Sequence, residues 1–93
     1  MTENSKNNQF HYVYVLQSEK DNHFYVGYTN DLYKRLKEHC SGKVKSTEHR
    51  RPLKVVYCEA SLHQKDAIRR EQYLKSAWGK RYIKNRIKTY LTG

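Results

Sequence analysis

Two runs rich in tyrosine and valine constrain this chain most: HYVYVLQS from His11 and HFYVGYT from His23, with the polar stretch SEKDN between them. β-Branched and aromatic side chains suit a pleated strand, while Ser, Asp and Asn suit a turn, so the pattern predicts an antiparallel hairpin. Alternation places Tyr12, Tyr14 and Leu16 on one face of the first strand and Val13 and Val15 on the other. Both sets are bulky, which predicts that both faces are covered. On the second strand Tyr25, Gly27 and Thr29 face one way, and Phe24, Val26 and Tyr28 the other. A glycine weakens a strand interior, and close approach by a backbone or ligand is one reason to tolerate it.

After Thr29 the apolar period changes. Asn30 or Thr29 is the expected helix cap, with Asp31 in the positive first turn. Leu32 and Leu36 mark the buried stripe with Tyr33 beside it, and Arg35 and His39 stack four apart on a neighbouring face. Residues 41–52, SGKVKSTEHRRP, read as a loop, and LKVVYCE as a third strand. Ser61 and Gln64 have capping-box spacing for a second helix with Ala67, Ile68, Leu74 and Trp78 on its apolar face. Gly79 interrupts that pattern, and Tyr82, Ile83, Ile87 and Leu91 predict a last amphipathic helix. The expected fold is α+β: a small, mainly antiparallel three-stranded sheet flanked by helices. Ninety-three residues leave room for one core. Residues 1–9 are expected to be a disordered tail and 10–91 a single domain.

The formal charge is +10 with neutral histidines, and it is unevenly spread. Residues 63–93 hold nine basic and two acidic residues, and no acid falls between Lys80 and Lys88. Such a field attracts polyanions, so nucleic acid is the expected partner, with Lys80, Arg81, Lys84 and Lys88 as backbone contacts. A membrane is not expected: no apolar run is long enough to span one, and no strongly apolar helical face accompanies the charge. The opening MTENSKNNQF lacks the apolar core of a secretory signal. Cys40 and Cys58 have neither metal-site spacing nor the density of a disulfide scaffold. A cytoplasmic protein is expected.

The polar residues able to support chemistry are Tyr14, Tyr25, Arg35, His39 and Glu71. Glu71 is the irregular one, because it falls on the apolar face of its helix and a buried carboxylate needs a partner. A salt bridge to an arginine, a different helix phase, and a metal or catalytic role are the alternatives. The tyrosines also read as core residues, Arg35 as a surface arginine, and His39 as a complement to the helix dipole. Phosphodiester hydrolysis needs a group that activates water and positive charge for the transition state, usually with a divalent ion. A tyrosine serves as base only if cations lower its pKa.

Read together, these residues resemble the GIY-YIG nuclease superfamily, in particular its small single-domain YhbQ-like (UPF0213-type) group. The first signature stands here as Tyr12-Val13-Tyr14 and the second as Tyr25-Val26-Gly27, with ten residues between them. GYTNDLYKRLKEH from Gly27, PLKVVY from Pro52 and AIRREQYLKS from Ala67 continue the likeness. Tyr12 departs from the glycine that the motif's name expects.

The resemblance implies roles residue by residue. Tyr14 matches the proposed general base and Tyr25 a residue positioning water and phosphate. Gly27 matches the structural glycine that lets the following segment pack near the site. Arg35 matches the scissile-phosphate ligand, and His39 a phosphate or proton-transfer partner. Glu71 matches the carboxylate that holds one Mg²⁺ or Mn²⁺, weakly when substrate is absent, and Asn85 a supporting asparagine. The implied function is structure-selective DNA endonuclease, on branched, nicked or single-stranded DNA, with RNA as another substrate class. The alternatives are a noncatalytic nucleic-acid-binding module and an accessory protein of a DNA repair complex. A protein partner that selects substrate belongs with either.

Overall fold

The structure is a computed structural model and describes residues 9–93. The expected tail lies, up to residue 8, outside the described residues. The elements run β1 (His11–Ser18), β2 (Phe24–Thr29), α1 (Leu32–Cys40), a 3₁₀ turn at Glu48–Arg50, β3 (Leu53–Ser61), α2 (Gln64–Leu74), α3 (Ala77–Arg86) and α4 (Lys88–Thr92). The fold is α+β, with a three-stranded antiparallel sheet in the order β2-β1-β3.

Strand β1 is central, which explains its continuous burial from Val13 to Ser18. Its register pairs Tyr14 with Gly27 and Val15 with Val26 on one side, and Tyr14 with Cys58 on the other. A bulge between Val15 and Leu16 shifts the β3 pairing from Tyr57 to Val55. Cross-strand partners share a face, so the valine face and the tyrosine face of the hairpin are built from both strands.

The valine face carries the main core. Val13, Val15 and Val26 pack with Ala67 and Leu74 of α2 and Ile83 of α3. A polar lattice fastens the helices to β3: Arg70 Nε donates to Glu59 Oε1 at 2.8 Å, and its guanidinium lies 4.4 Å from the centre of the Tyr82 ring. Tyr57 donates to Glu59 beside it, and burial helps push the Tyr57 phenol up to about 12.

Several local expectations change. Asp31, rather than Asn30 or Thr29, caps α1, accepting from the Lys34 amide, while Thr29 Oγ1 accepts from the Asp31 amide. Ser61 ends β3 and helix α2 starts three residues later, at Gln64; the cap is His63, whose Nδ1 accepts from Lys65 N. The helical pattern breaks at Lys75–Ser76 and not at Gly79. Ser76 caps α3, accepting from the Gly79 amide, and Gly79 is buried within it against the backbone of Tyr73 and Leu74. That break turns Trp78 away from the α2 core stripe and leaves it 67% exposed. The last amphipathic segment is split at Ile87 into α3 and α4.

Candidate active site

The tyrosine face of the hairpin holds the chemistry. Tyr14 projects from the central strand and is 1% exposed. Gly27 lies opposite it, and a Cβ there would fall on the Tyr14 phenol, with Cε1 at 2.9 Å. The missing side chain is therefore the space that the Tyr14 ring occupies. This close approach of the ring across the strand pair is a role for Gly27 beyond the packing of the following segment that the sequence leads one to expect.

Helix α1 delivers its polar residues to this ring. His39 is the one fully buried residue of α1, while Leu32 and Leu36 are half-buried and Tyr33 is exposed. Tyr14 Oη and His39 Nε2 are 2.8 Å apart. His39 Nδ1 is 2.8 Å from Thr47 Oγ1, in the segment after α1. Tyr25 closes the cluster: its ring centre is 5.3 Å from that of His39 and 6.5 Å from that of Tyr14. One turn before His39, Arg35 stands beside the Tyr14 phenol and donates from Nη1 to Glu38 at 3.0 Å. Arg35 also opens onto a groove of about 440 Å³ shared with Asn30, Lys34 and Gln64.

Burial and charge pull Tyr14 in opposite directions. Burial raises its pKa, the neighbouring Arg35 lowers it, and the net shift is upward. Sequence reasoning asked for a tyrosine acidified by cations; Arg35 alone does not outweigh desolvation. His39 is held below its ordinary value, first by burial and then by Arg35, with Glu38 opposing. The resting pair is therefore a neutral phenol against a neutral imidazole.

Glu71 sits half-buried on α2, its charge felt at the Tyr14 phenol. Its partner is a lysine, not an arginine: Lys75 Nζ is 2.9 Å from Oε2. Among the described residues no three His, Cys, Asp or Glu side chains gather as a metal cluster. A lone, partly desolvated carboxylate nevertheless fits a hard divalent ion that takes most of its shell from water and phosphate.

Tyr14, Tyr25, Arg35 and His39 thus come together, with Glu71 in electrostatic reach. Asn85 is exposed on α3 and joins no hydrogen bond to this cluster among the described residues. The four basic residues divide. Lys80 and Lys84 line a groove of about 500 Å³ with Arg50, His23, Asn22, Gln17, Phe24 and Leu91. Arg81 lies 5.1 Å from the Trp78 ring centre, and Lys88 opens α4. Gln17 and Phe24 are cross-strand partners on the valine side, so this basic groove is on the sheet face opposite Tyr14. Sequence reasoning missed Thr47, Glu38 and Lys75. The last two stand at the helical spacings i+3 and i+4 from Arg35 and Glu71, but no local signal marks Thr47.

Comparison with known proteins gives the family. Residues 10–84 match the family model described as the GIY-YIG catalytic domain. The UPF0213 protein YazA of Bacillus subtilis is 44% identical over 70% of this chain and 66% of its own length. A UPF0213 protein of Bacillus licheniformis is 42% identical over 82% of this chain and 81% of its own length. The solution NMR structure of the UPF0213 protein BH0048 from Bacillus halodurans superposes with a TM-score of 0.51 at 38% identity, covering 80% of this chain and 81% of that one. With Tyr14 and Tyr25 of the two signatures 6.5 Å apart, ring centre to ring centre, and a family match across nearly all the described residues, this chain belongs to the GIY-YIG superfamily, among the small UPF0213-type proteins.

Proposed function

We propose that the protein is a structure-selective DNA endonuclease that hydrolyses phosphodiesters with one divalent ion, Mg²⁺ or Mn²⁺. The observation that carries this is the buried 2.8 Å contact between Tyr14 Oη and His39 Nε2, beside an arginine able to meet a phosphate. Arg35 binds the scissile phosphate and steadies charge as it develops. Tyr25 borders the reacting position. Tyr14 takes a proton from the attacking water as it passes its own to His39. The new O–P bond forms as the P–O bond to the leaving nucleotide breaks, and the electron pair stays with the leaving oxygen, which takes a proton from solvent. An incoming phosphate also offsets the Arg35 charge that disfavours a protonated His39. Glu71 would hold the ion, which when bound neutralises phosphate charge.

The test is a panel of labelled single-stranded, nicked, flapped and branched DNAs, with matched RNAs, in Mg²⁺, Mn²⁺ or chelator. Metal-dependent cutting is expected, lost in Glu71→Ala although binding persists. Cleavage retained in both Glu71→Ala and Tyr14→Phe would sink the mechanism. A second reading, a noncatalytic nucleic-acid-binding module, draws on the Glu71–Lys75 pair as a structural salt bridge and on the basic groove away from the tyrosines. It predicts matched, metal-independent binding and no cutting by either protein. An accessory protein of a repair complex would instead show a stable protein partner and no salt-dependent DNA affinity.

A further inference from the structure

We infer that Thr47 is a positioning residue that holds His39 in the Nδ1–H tautomer, so that its Nε2 faces Tyr14 as a proton acceptor. The inference rests on the nuclease reading for its use, but its geometry stands without it. Thr47 is 0% exposed and comes from the segment between α1 and β3, outside every motif described above. Its Oγ1 meets two groups: His39 Nδ1 at 2.8 Å and the Val44 carbonyl at 3.5 Å.

Two directions of this hydrogen-bond chain are possible. In the first, Tyr14 O–H donates to Nε2, Nδ1–H donates to Thr47, and the Thr47 hydroxyl donates to Val44 O. Every polar hydrogen then has an acceptor. In the second, Thr47 donates to Nδ1 and Nε2–H donates to Tyr14, which leaves the Tyr14 hydroxyl hydrogen without an acceptor among the described residues. Tyr14 is 1% exposed and its ring is hemmed in by Gly27 and Tyr25, so in the DNA-free protein that hydrogen is cut off from bulk solvent, and the attacking water reaches the hydroxyl only with substrate. Leaving a buried donor unmet costs more than a long final bond, and the first direction wins.

The tautomer matters because only an unprotonated Nε2 can receive the Tyr14 proton. During attack the water proton moves to Tyr14 Oη, the Tyr14 proton moves to His39 Nε2, and Nδ1–H stays on Thr47. Tyr14 ends as a phenol and His39 as an imidazolium, returning its extra proton to solvent after product leaves. Without the Thr47 oxygen the ring is free to place its proton on Nε2, which blocks the transfer.

The test reads the His39 ring nitrogens by ¹⁵N NMR in the DNA-free, metal-free protein at a pH where the imidazole is neutral, for wild type, Thr47→Val and Thr47→Ser. Wild type and Thr47→Ser should show a protonated Nδ1 and bare Nε2, and Thr47→Val a shift toward protonated Nε2. Cleavage by Thr47→Val should fall about a hundredfold, within the range of general-base effects, and recover in Thr47→Ser. Nε2–H in wild type, or an unchanged tautomer in folded Thr47→Val, overturns the inference. If Thr47→Val does not fold, wild type and Thr47→Ser still decide it through their tautomers. A wild type that never cuts DNA would refute the nuclease reading alone, since the tautomer is read without substrate. Full cleavage by folded Thr47→Val would refute the positioning role alone.

Discussion

The ring of Tyr14 lies over Gly27 on the neighbouring strand, in the volume that any side chain there would need. Gly27→Ala should therefore destabilise the protein by about 1–3 kcal/mol, as overpacking does, although alanine is no worse than glycine in a strand. The Tyr14 ring cannot swing aside freely, because its hydroxyl is tied to His39. Denaturant melts of a double-mutant cycle check this: in a Tyr14→Val background the same substitution should cost less. Additive penalties would show that the strain lies elsewhere.

A second glycine makes the opposite prediction to helix propensity. Alanine inside a helix normally gains about 1 kcal/mol over glycine. At Gly79 the new methyl would meet the Tyr73 carbonyl and the Leu74 backbone, neither of which can rotate away. The expected net effect of Gly79→Ala is a loss of about 1–3 kcal/mol, with the α2–α3 junction forced open. A raised thermal midpoint would contradict the packing.

The hairpin and its faces were legible because alternation is local: Tyr14 and Gly27 on one side and Val15 and Val26 on the other follow from period two. The identity of α1's buried residue was not. Leu32 and Leu36 looked like the core stripe, but His39 is the residue driven inside, because a tyrosine from another element waits there. Thr47 was invisible for the same reason, since its partner lies eight residues back and its hydroxyl matters only once the loop has folded over α1. The α2–α3 junction failed differently. Gly79 looked like a breaker, whereas its small size serves a close backbone approach within α3. Resemblance to the family, rather than periodicity, drew Tyr14, Arg35 and Glu71 into one site.

His39 makes stability depend on pH. Its folded pKa is depressed from 6.5, so the folded state binds fewer protons than the unfolded chain near that value. The stabilising contribution is present above the ordinary pKa and is lost as pH falls through the folded pKa. Wild type should therefore lose more stability between about pH 7.5 and about pH 5 than His39→Gln does, measured by urea melts. Equal losses would mean that His39 is not buried neutral. Cleavage should decline over the same acid range, since protonated His39 can no longer receive the Tyr14 proton.

Lys80 and Lys84 stand four apart on α3 and face a groove with Arg50, on the side of the sheet away from Tyr14. A nucleic acid that contacts both this groove and the tyrosines must pass around the sheet, which favours a bent or flexible substrate over a straight duplex. Each phosphate contact releases counterions, so removing two should lower the slope of log affinity against log salt by about 1.8 on duplex DNA. Binding measured in a Glu71→Ala background avoids cleavage and isolates the term. Lys80→Gln/Lys84→Gln should weaken binding across sequences and flatten the slope by about that amount. Arg81→Gln should do less, because its guanidinium already lies over Trp78. An unchanged slope in the double variant would move the nucleic-acid path off this face, leaving Arg35 and Lys34 beside the tyrosine cluster as the main phosphate contacts.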